Sequence, residues 1–432
     1  MPGQPSSLPQ FFPDNGWAGP SRGCGLVPIV GCMTGVLGVS PPELDLDPFS
    51  EEFLAAPDNY HTRLRDAGPV VWLSRYRIWA MARFAEVQAA LRDHETYCSR
   101  AGVGLSDFTR EKPWRPPSLL LEADPPEHTR VRRVTSRVLS PRVIERMAPE
   151  LEEQAAELAG DLAARGEFDG ATDAAQAYPL RVFPDAVGLR PDGRENLLAY
   201  GTMVFNVFGP RNRLFHESTA AAEPVRAWIA EACERGRLAP GGLGAELYAA
   251  ADRGEITEAE AALLVRSLLS AGVDTTVHTL AWALHELATR PAVWQQLRAD
   301  PALARAAVEE TLRYASPVQT FFRTTTRPVR VSGVQIPAGS KVLLFLGAAN
   351  RDPRAWPDPD VFDLRRKAAG HVALGSGIHA CVGAALGRLE GELLLGALAR
   401  RIATLELAGP PRPYLNNTIK GLASLPLRAR PA

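Results

Sequence analysis

The stretch LGSGIHACVG, Leu374 to Gly383, places one cysteine in a glycine-rich loop, and a strongly helical run follows it. Three readings of Cys381 are open: nucleophile, metal ligand, or an inert thiol. A nucleophilic thiol needs a base within hydrogen-bond reach. His379 is two residues away, but near neighbours in sequence rarely meet in that geometry. A structural zinc ion needs three further ligands, and none has recognisable spacing. A single thiolate is sufficient as the axial ligand of a haem. That ligation also gives the rest of the loop a purpose. Gly375, Gly377 and Gly383 let backbone approach a flat macrocycle. A helix beginning near Val382 turns its positive end towards the sulfur and favours the thiolate.

The remaining composition is that of an ordinary soluble protein. Of 432 residues, 46% are apolar and 22% charged, with a net charge of −1 at pH 7. No bulk field therefore draws nucleic acid or a membrane surface. Cys24, Cys32, Cys98, Cys233 and Cys381 are odd in number and lack paired C-x-x-C spacing. They speak against a disulfide framework and a structural zinc site, and for a reducing cytoplasm. Residues 1–42 are rich in Pro, Gly and Ser. Their uncharged run from Gly23 to Val39 lacks a basic start and is broken by Pro28. It reads as a disordered leader, or as a misassigned start ahead of Met33, rather than as a signal peptide or anchor. Residues 43–432 read as one domain.

The fold class that follows is mainly α with a small β-rich region. Pro69 to Arg83 reads as a β-hairpin. Most of residues 125–315 has helical spacing, and Arg327 to Leu346 alternates like a small sheet. One long helix is expected from Ile256 to Arg290. It opens with Thr257 three residues before Glu260, a capping box. Its middle is apolar nearly all round, yet holds Ser270, Gly272, Asp274, Thr275 and Thr276. A helical glycine costs ~1 kcal/mol against alanine, and an unpartnered buried carboxylate costs more. Polar groups at the centre of a buried helix therefore predict a cavity.

The loop resembles the haem-binding segment of cytochrome P-450 monooxygenases, whose pattern is F-G-x-G-x-H-x-C-x-G. Leu374 stands where the pattern has Phe, a departure that bears on redox tuning rather than ligation. Three further segments are similar in type and order. AGVDTT, Ala271 to Thr276, resembles the oxygen-activating helix. Glu310 and Arg313 supply E-x-x-R, and Arg366 in DPDVFDLRR completes a structural Glu–Arg–Arg triad. The resemblance implies a helical prism around a buried haem b, with Cys381 on the iron. It also implies that His128, Arg132, Arg323 and His379 meet the two propionates, which need cations. Asp274 and Thr275 would deliver protons to bound O2, where the helix widens at Ala271 and Gly272. No flavin or nicotinamide fingerprint is present, so electrons must come from an external donor. By the family's habit this is an iron–sulfur ferredoxin with its reductase, meeting Arg130, Arg133, Arg137 and Arg142; the family default is a monomer.

A closer resemblance, from about Leu46 onward, is to bacterial members that oxidise para-substituted benzoic acids, notably 4-methoxybenzoate demethylases. It rests on the segments Gly102 to Arg130 and Val204 to Pro210, on LLVRSLLSAGVDTT, and on SPVQTFFRTTTR. It implies that Arg115, Ser118, Arg266 and Ser267 hold the carboxylate far from iron. Leu121, Val204, Phe205, Phe208, Ala271, Val318 and Phe321 would then line the pocket around the ring. A carboxylate leaving water needs charge and hydrogen bonds, and anchoring it there sets regiochemistry by position. Two other readings stand beside this one. The same fold can serve another acidic aromatic such as a cinnamate, or a haem protein can sense a ligand without turnover.

Overall fold

The computed structural model describes residues 40–432. The leader expected over residues 1–42 lies outside the described residues except for its last three. The chain is mainly helical. The helices that surround the site are α1 (Glu127–Val138), α2 (Pro141–Arg165), α3 (Asn196–Asn206), α4 (Glu258–Ala271), α5 (Asp274–Ala288), α6 (Ala304–Ala315) and α7 (Ala384–Arg401). The strands used below are β1 (Glu43–Leu44), β2 (Val71–Leu73), β3 (Ile78–Met81), β4 (Tyr97–Cys98), β5 (Thr320–Thr325), β6 (Lys341–Phe345), β7 (Arg412–Tyr414) and β8 (Gly421–Ser424). The first six form one sheet in the order β1-β2-β3-β6-β5-β4, and β7 pairs with β8. No helix of the described residues is long and apolar enough to cross a membrane.

The expected hairpin forms as β2 and β3, antiparallel, with Trp72 opposite Trp79. Their rings meet edge to face at 5.2 Å, a cross-strand aromatic pair of the kind that fixes register. Around the site, α2 and α6 both pack on α7. A Cβ at Gly391 would lie 2.6 Å from Val308, so glycine lets α6 and α7 approach closely.

The single helix expected from Ile256 to Arg290 is two helices. Thr257 forms its capping box, donating from its amide to Glu260 Oε2 at 2.8 Å and accepting the Glu260 amide at 3.1 Å. The helix then stops at Ala271 and restarts at Asp274, with Val273 at φ −100°, ψ −64°. The ring of Phe183 occupies the place where a Cβ on Gly272 would be. Thr275 Oγ1 donates to the Ala271 carbonyl at 2.9 Å, one turn back across the break. Side chains inserted into the helical ladder are a recognised cause of such interruptions. The apolar period is nearly continuous through residues 271–274, which is why sequence spacing alone shows one helix.

Candidate active site

A cavity of about 280 Å³ lies where the α4–α5 break meets the loop ahead of α7. Cys381 lines it. The helix starts at Ala384 with Gly383 as its N-cap, two residues later than the sequence suggests. Burial pushes the Cys381 thiol up, while the amides of Gly383 and Ala384 and the guanidiniums of Arg132 and Arg388 act the other way. The loop glycines have different uses. Gly375 and Gly377 have φ of +72° and +69°, a region costly for other residues. A Cβ on Gly377 would lie 2.8 Å from the Leu91 carbonyl oxygen, so its close approach is to neighbouring backbone and it does not line the cavity. Gly375 and Gly383 do line it.

Arg132, Arg323 and His379 also line the cavity. His128 sits one turn before Arg132 on α1, its ring 4.5 Å from that of His379. Both ring nitrogens of His128 are buried with no hydrogen-bond partner among the described residues. His379 Nδ1 donates to the Leu120 carbonyl at 3.0 Å, and its Nε2 has no hydrogen-bond partner among the described residues. Arg323 is buried, donates to the Phe322 carbonyl at 2.8 Å, and is brought by burial down to about 10. Unmet buried polar groups are expensive; His379 carries one at the cavity, while His128 lies behind it and does not line the cavity. Asp124, which sequence reasoning missed, lies 3.8 Å from His379 Nε2. It accepts from the Ser99 amide at 2.9 Å and from Arg100 Nη1 at 3.0 Å. Burial acts to raise its carboxyl, but His379, the amides of Ser99 and Arg100 and the Arg100 guanidinium hold it at about 2.

Arg115, Ser118 and Ser267 also line the cavity and form one polar cluster in its wall. Arg115 is buried and 3.2 Å from Glu122, also buried. Glu122 is a second residue the sequence reading missed; only its spacing four after Ser118 could have pointed to it. Its Oε2 accepts the Ser118 amide at 2.7 Å. Arg115 Nη1 donates to the Pro116 carbonyl at 3.0 Å, while its buried Nε finds no hydrogen-bond partner among the described residues. The hydroxyls of Ser118 and Ser267 are 3.2 Å apart. Arg266 differs from expectation. It does not line the cavity, and its Nη2 donates to the Pro116 carbonyl at 2.8 Å. One residue is about 100° of helical turn, so a neighbour of cavity-facing Ser267 points elsewhere.

Leu121, Val204, Phe205, Phe208, Ala271, Val318 and Phe321 all line the cavity. Phe208 meets Phe205 at 6.1 Å and Phe321 at 5.9 Å, both edge to face. Thr275 lines it as well, but Asp274 does not. The Asp274 carboxyl is buried against Gly201 of α3, where a Cβ would lie 2.6 Å from the carboxyl carbon. Burial pushes it up to about 8.

The three residues of the expected structural triad meet. Arg313 grips Glu310 with Nε at 2.8 Å and Nη2 at 2.7 Å, and Arg366 Nε reaches the same carboxylate at 3.1 Å. On the outside of α1, Arg130 pairs with Glu260 and Arg137 with Glu255. Arg133 and Arg142 are exposed.

Comparison with known proteins gives concordant matches. The family described as Cytochrome P450 matches residues 243–406. Cytochrome p450 CYP199A2 of Rhodopseudomonas palustris is 54% identical over 396 residues, covering 91% of this chain and 96% of that one. Beta-dihydromenaquinone-9 omega-hydroxylase of Mycobacterium bovis is 32% identical, covering 90% of this chain and 79% of that one. The solved structure of cytochrome P450 CYP109Q5 from Chondromyces apiculatus superposes with a TM-score of 0.76 at 30% identity, over 90% of this chain and 99% of that chain.

Proposed function

The chain belongs to the cytochrome P450 family of monooxygenases, and on that premise we propose that it oxidises para-substituted benzoic acids at the para substituent. One observation carries this reading. On one wall of the cavity stand a buried guanidinium with an unmet Nε donor, Arg115, and two neighbouring hydroxyls, Ser118 and Ser267. An aromatic carboxylate supplies the acceptors this cluster lacks, and the three phenylalanines supply the surface its ring needs.

The family implies a haem held by thiolate. In this proposal Cys381 is its ligand, and His128, Arg132, Arg323 and His379 take the two propionates. The partnerless nitrogens of His128 and His379 fit such a dianionic group. Held there, the haem would supply the chemistry of dioxygen activation and single-oxygen insertion. Electrons come from a separate donor, a ferredoxin with its reductase.

The chain's own residues set what is oxidised. Glu122 already occupies part of Arg115 and Ser267 donates to the Leu263 carbonyl, so the remaining guanidinium donors and the Ser118 hydroxyl meet the incoming carboxylate. Ser267 lies on α4 and Thr275 just beyond the break at the start of α5, and both line the cavity. A benzoate anchored at Ser118, beside Ser267, therefore points its para substituent towards the α4–α5 break. With its carboxyl at about 8, Asp274 holds a proton at neutral pH beside Thr275, whose hydroxyl is fixed on the Ala271 carbonyl. At a para-methoxy group, hydroxylation of the methyl yields a hemiacetal that loses formaldehyde and leaves 4-hydroxybenzoate.

The test is turnover. Haem-loaded enzyme with ferredoxin, reductase and NADH should convert 4-methoxybenzoate into equal amounts of 4-hydroxybenzoate and formaldehyde. It should leave 3-methoxybenzoate nearly untouched. Equal rates on both isomers would sink the positional argument.

A further inference from the structure

We propose that Lys341 is a positioning residue for the substrate cavity: its ammonium serves as a built-in monovalent cation that clamps the segment 101–105, and with it the two stretches of chain that carry Phe208 and Phe321. This takes from the proposed function only that the cavity receives the substrate. Residues 101–104 are buried but form neither helix nor strand. Buried backbone outside regular structure must find partners for its carbonyls elsewhere. Lys341 opens β6 and is half-buried. Its Nζ donates to the carbonyls of Ala101 at 3.0 Å, Gly102 at 2.9 Å and Gly104 at 3.0 Å. The remaining carbonyl, that of Val103, accepts the Phe322 amide at 2.9 Å. One ammonium thus directs all three of its donors to a single short segment.

That segment joins two walls of the cavity from behind. On one side a Cβ on Gly104 would lie 2.7 Å from Phe208 Cα, and the Leu105 amide donates to the Phe208 carbonyl at 2.8 Å. On the other side Val103 is bonded to Phe322 of β5, the chain neighbour of Phe321. Phe208 and Phe321 both line the cavity, with their rings 5.9 Å apart. Neither Lys341 nor residues 101–105 line it, so the lysine acts through the segment and not on the substrate. Gly102, at φ +92°, and the Phe108 amide, which donates to the Ala101 carbonyl at 3.1 Å, fold the segment into a turn. The turn is what brings three carbonyl oxygens to one point, where without a cation their like partial charges would repel.

The chemistry of the cradle calls for a compact cation. Hydrogen bonds from a charged donor are about twice as strong as those from a neutral one. Converging carbonyls are also what a monovalent cation such as potassium accepts in place of water. Lysine supplies a point charge with rotatable donors, whereas the planar fork of arginine does not fit three converging oxygens. Burial draws Lys341 down to about 8, with Asp107, Cys98, Glu122 and Glu111 acting the other way, so near neutral pH the charge is kept. A pocket whose walls hold their arrangement only part of the time binds more weakly in proportion.

Lys341→Ala removes the cation and leaves room for another; Lys341→Met removes the charge but keeps the room filled. Both are compared with wild type as haem-loaded protein near neutral pH. The haem absorption is titrated with 4-methoxybenzoate and with 4-phenylimidazole, which needs the aromatic walls but carries no carboxylate for Arg115 and Ser118. Each variant should weaken both probes on the order of tenfold. Ammonium chloride should restore Lys341→Ala but not Lys341→Met. Tetramethylammonium chloride at the same ionic strength, with the charge but no N–H, should restore neither. An unchanged Kd in both variants, a loss confined to the acid, or a loss in Lys341→Ala that ammonium does not repair better than tetramethylammonium overturns the clamp. Should Lys341→Ala not fold, Lys341→Met is read by amide hydrogen exchange. The Leu105, Phe108 and Phe322 amides should then exchange about tenfold faster than in wild type, and unchanged exchange overturns the clamp equally. If wild type binds 4-phenylimidazole but gives no shift with 4-methoxybenzoate, the substrate reading fails on its own, and the clamp is judged on 4-phenylimidazole by the same outcomes.

Discussion

Replacing Ser118 by alanine removes one donor from the polar cluster in the cavity wall and nothing from the apolar lining. Ser267 donates to the Leu263 carbonyl at 2.9 Å, so in the 3.2 Å approach of the two serines the shared hydrogen belongs to Ser118. That hydrogen is free to turn to an incoming carboxylate. A hydrogen bond to a charged group contributes about 1.5–3 kcal/mol, and each 1.4 kcal/mol is about tenfold in affinity. The Kd for 4-methoxybenzoate should therefore rise roughly 10- to 150-fold. Fold stability should hold, because the hydrogen bonds that the Ser118 hydroxyl accepts from the Leu120 and Leu121 amides are long, at 3.4 and 3.2 Å. The assay is a titration of the haem absorption shift, with the methyl ester as control. The ester offers Ser118 only a neutral acceptor, so its affinity should move less, by about two- to tenfold. Equal weakening of acid and ester, or no weakening of the acid, would refute the assignment of Ser118.

Three further expectations concern the helices. Gly201→Ala gains ~1 kcal/mol of helix propensity, but its Cβ would overlap the Asp274 carboxyl; product per NADH should fall, and a higher Tm with intact coupling would contradict the packing argument. Asp274 titrates at about 8 in the folded protein against an ordinary value of 3.8. Its stabilising contribution is thus complete below about pH 4 and lost as pH rises through about 8. The Tm of the wild type minus that of Asp274→Asn should accordingly decrease across that window, and a pH-independent difference would argue against the raised pKa. Glu310→Gln leaves the fully buried Arg313 without its counter-charge, at a cost of about 3–5 kcal/mol. The denaturant midpoint and haem content should both drop, and an unchanged midpoint would show the triad to be dispensable.

The parts of this site that could be read from sequence are those whose chemistry is local. The Cys381 loop is ten consecutive residues, and Glu310 with Arg313 is a single helical turn, so their spacing already states their geometry. The apolar lining was legible only through resemblance, since Phe205 and Phe208 by themselves look like core. What escaped was set by packing between distant segments. Glu122 neutralises part of Arg115 within one loop, but nothing in the pattern says which carboxylate turns inward. Arg266 leaves the cavity because helical rotation separates it from Ser267. The break after Ala271 is invisible to periodicity and appears only because Phe183, almost ninety positions earlier, takes the space beside Gly272. Asp274 is hidden from the cavity for a similar reason: Gly201 of α3 offers it a seat with no side chain in the way.

The central claim is that an anion site within a cytochrome P450 cavity chooses the substrate. It is tested most directly by titrating the haem-loaded protein with 4-methoxybenzoate and with its methyl ester, following the change from low to high spin. The account predicts a saturable shift with the acid and little or none with the ester. A shift of equal size and affinity with both, or with the ester alone, would contradict it.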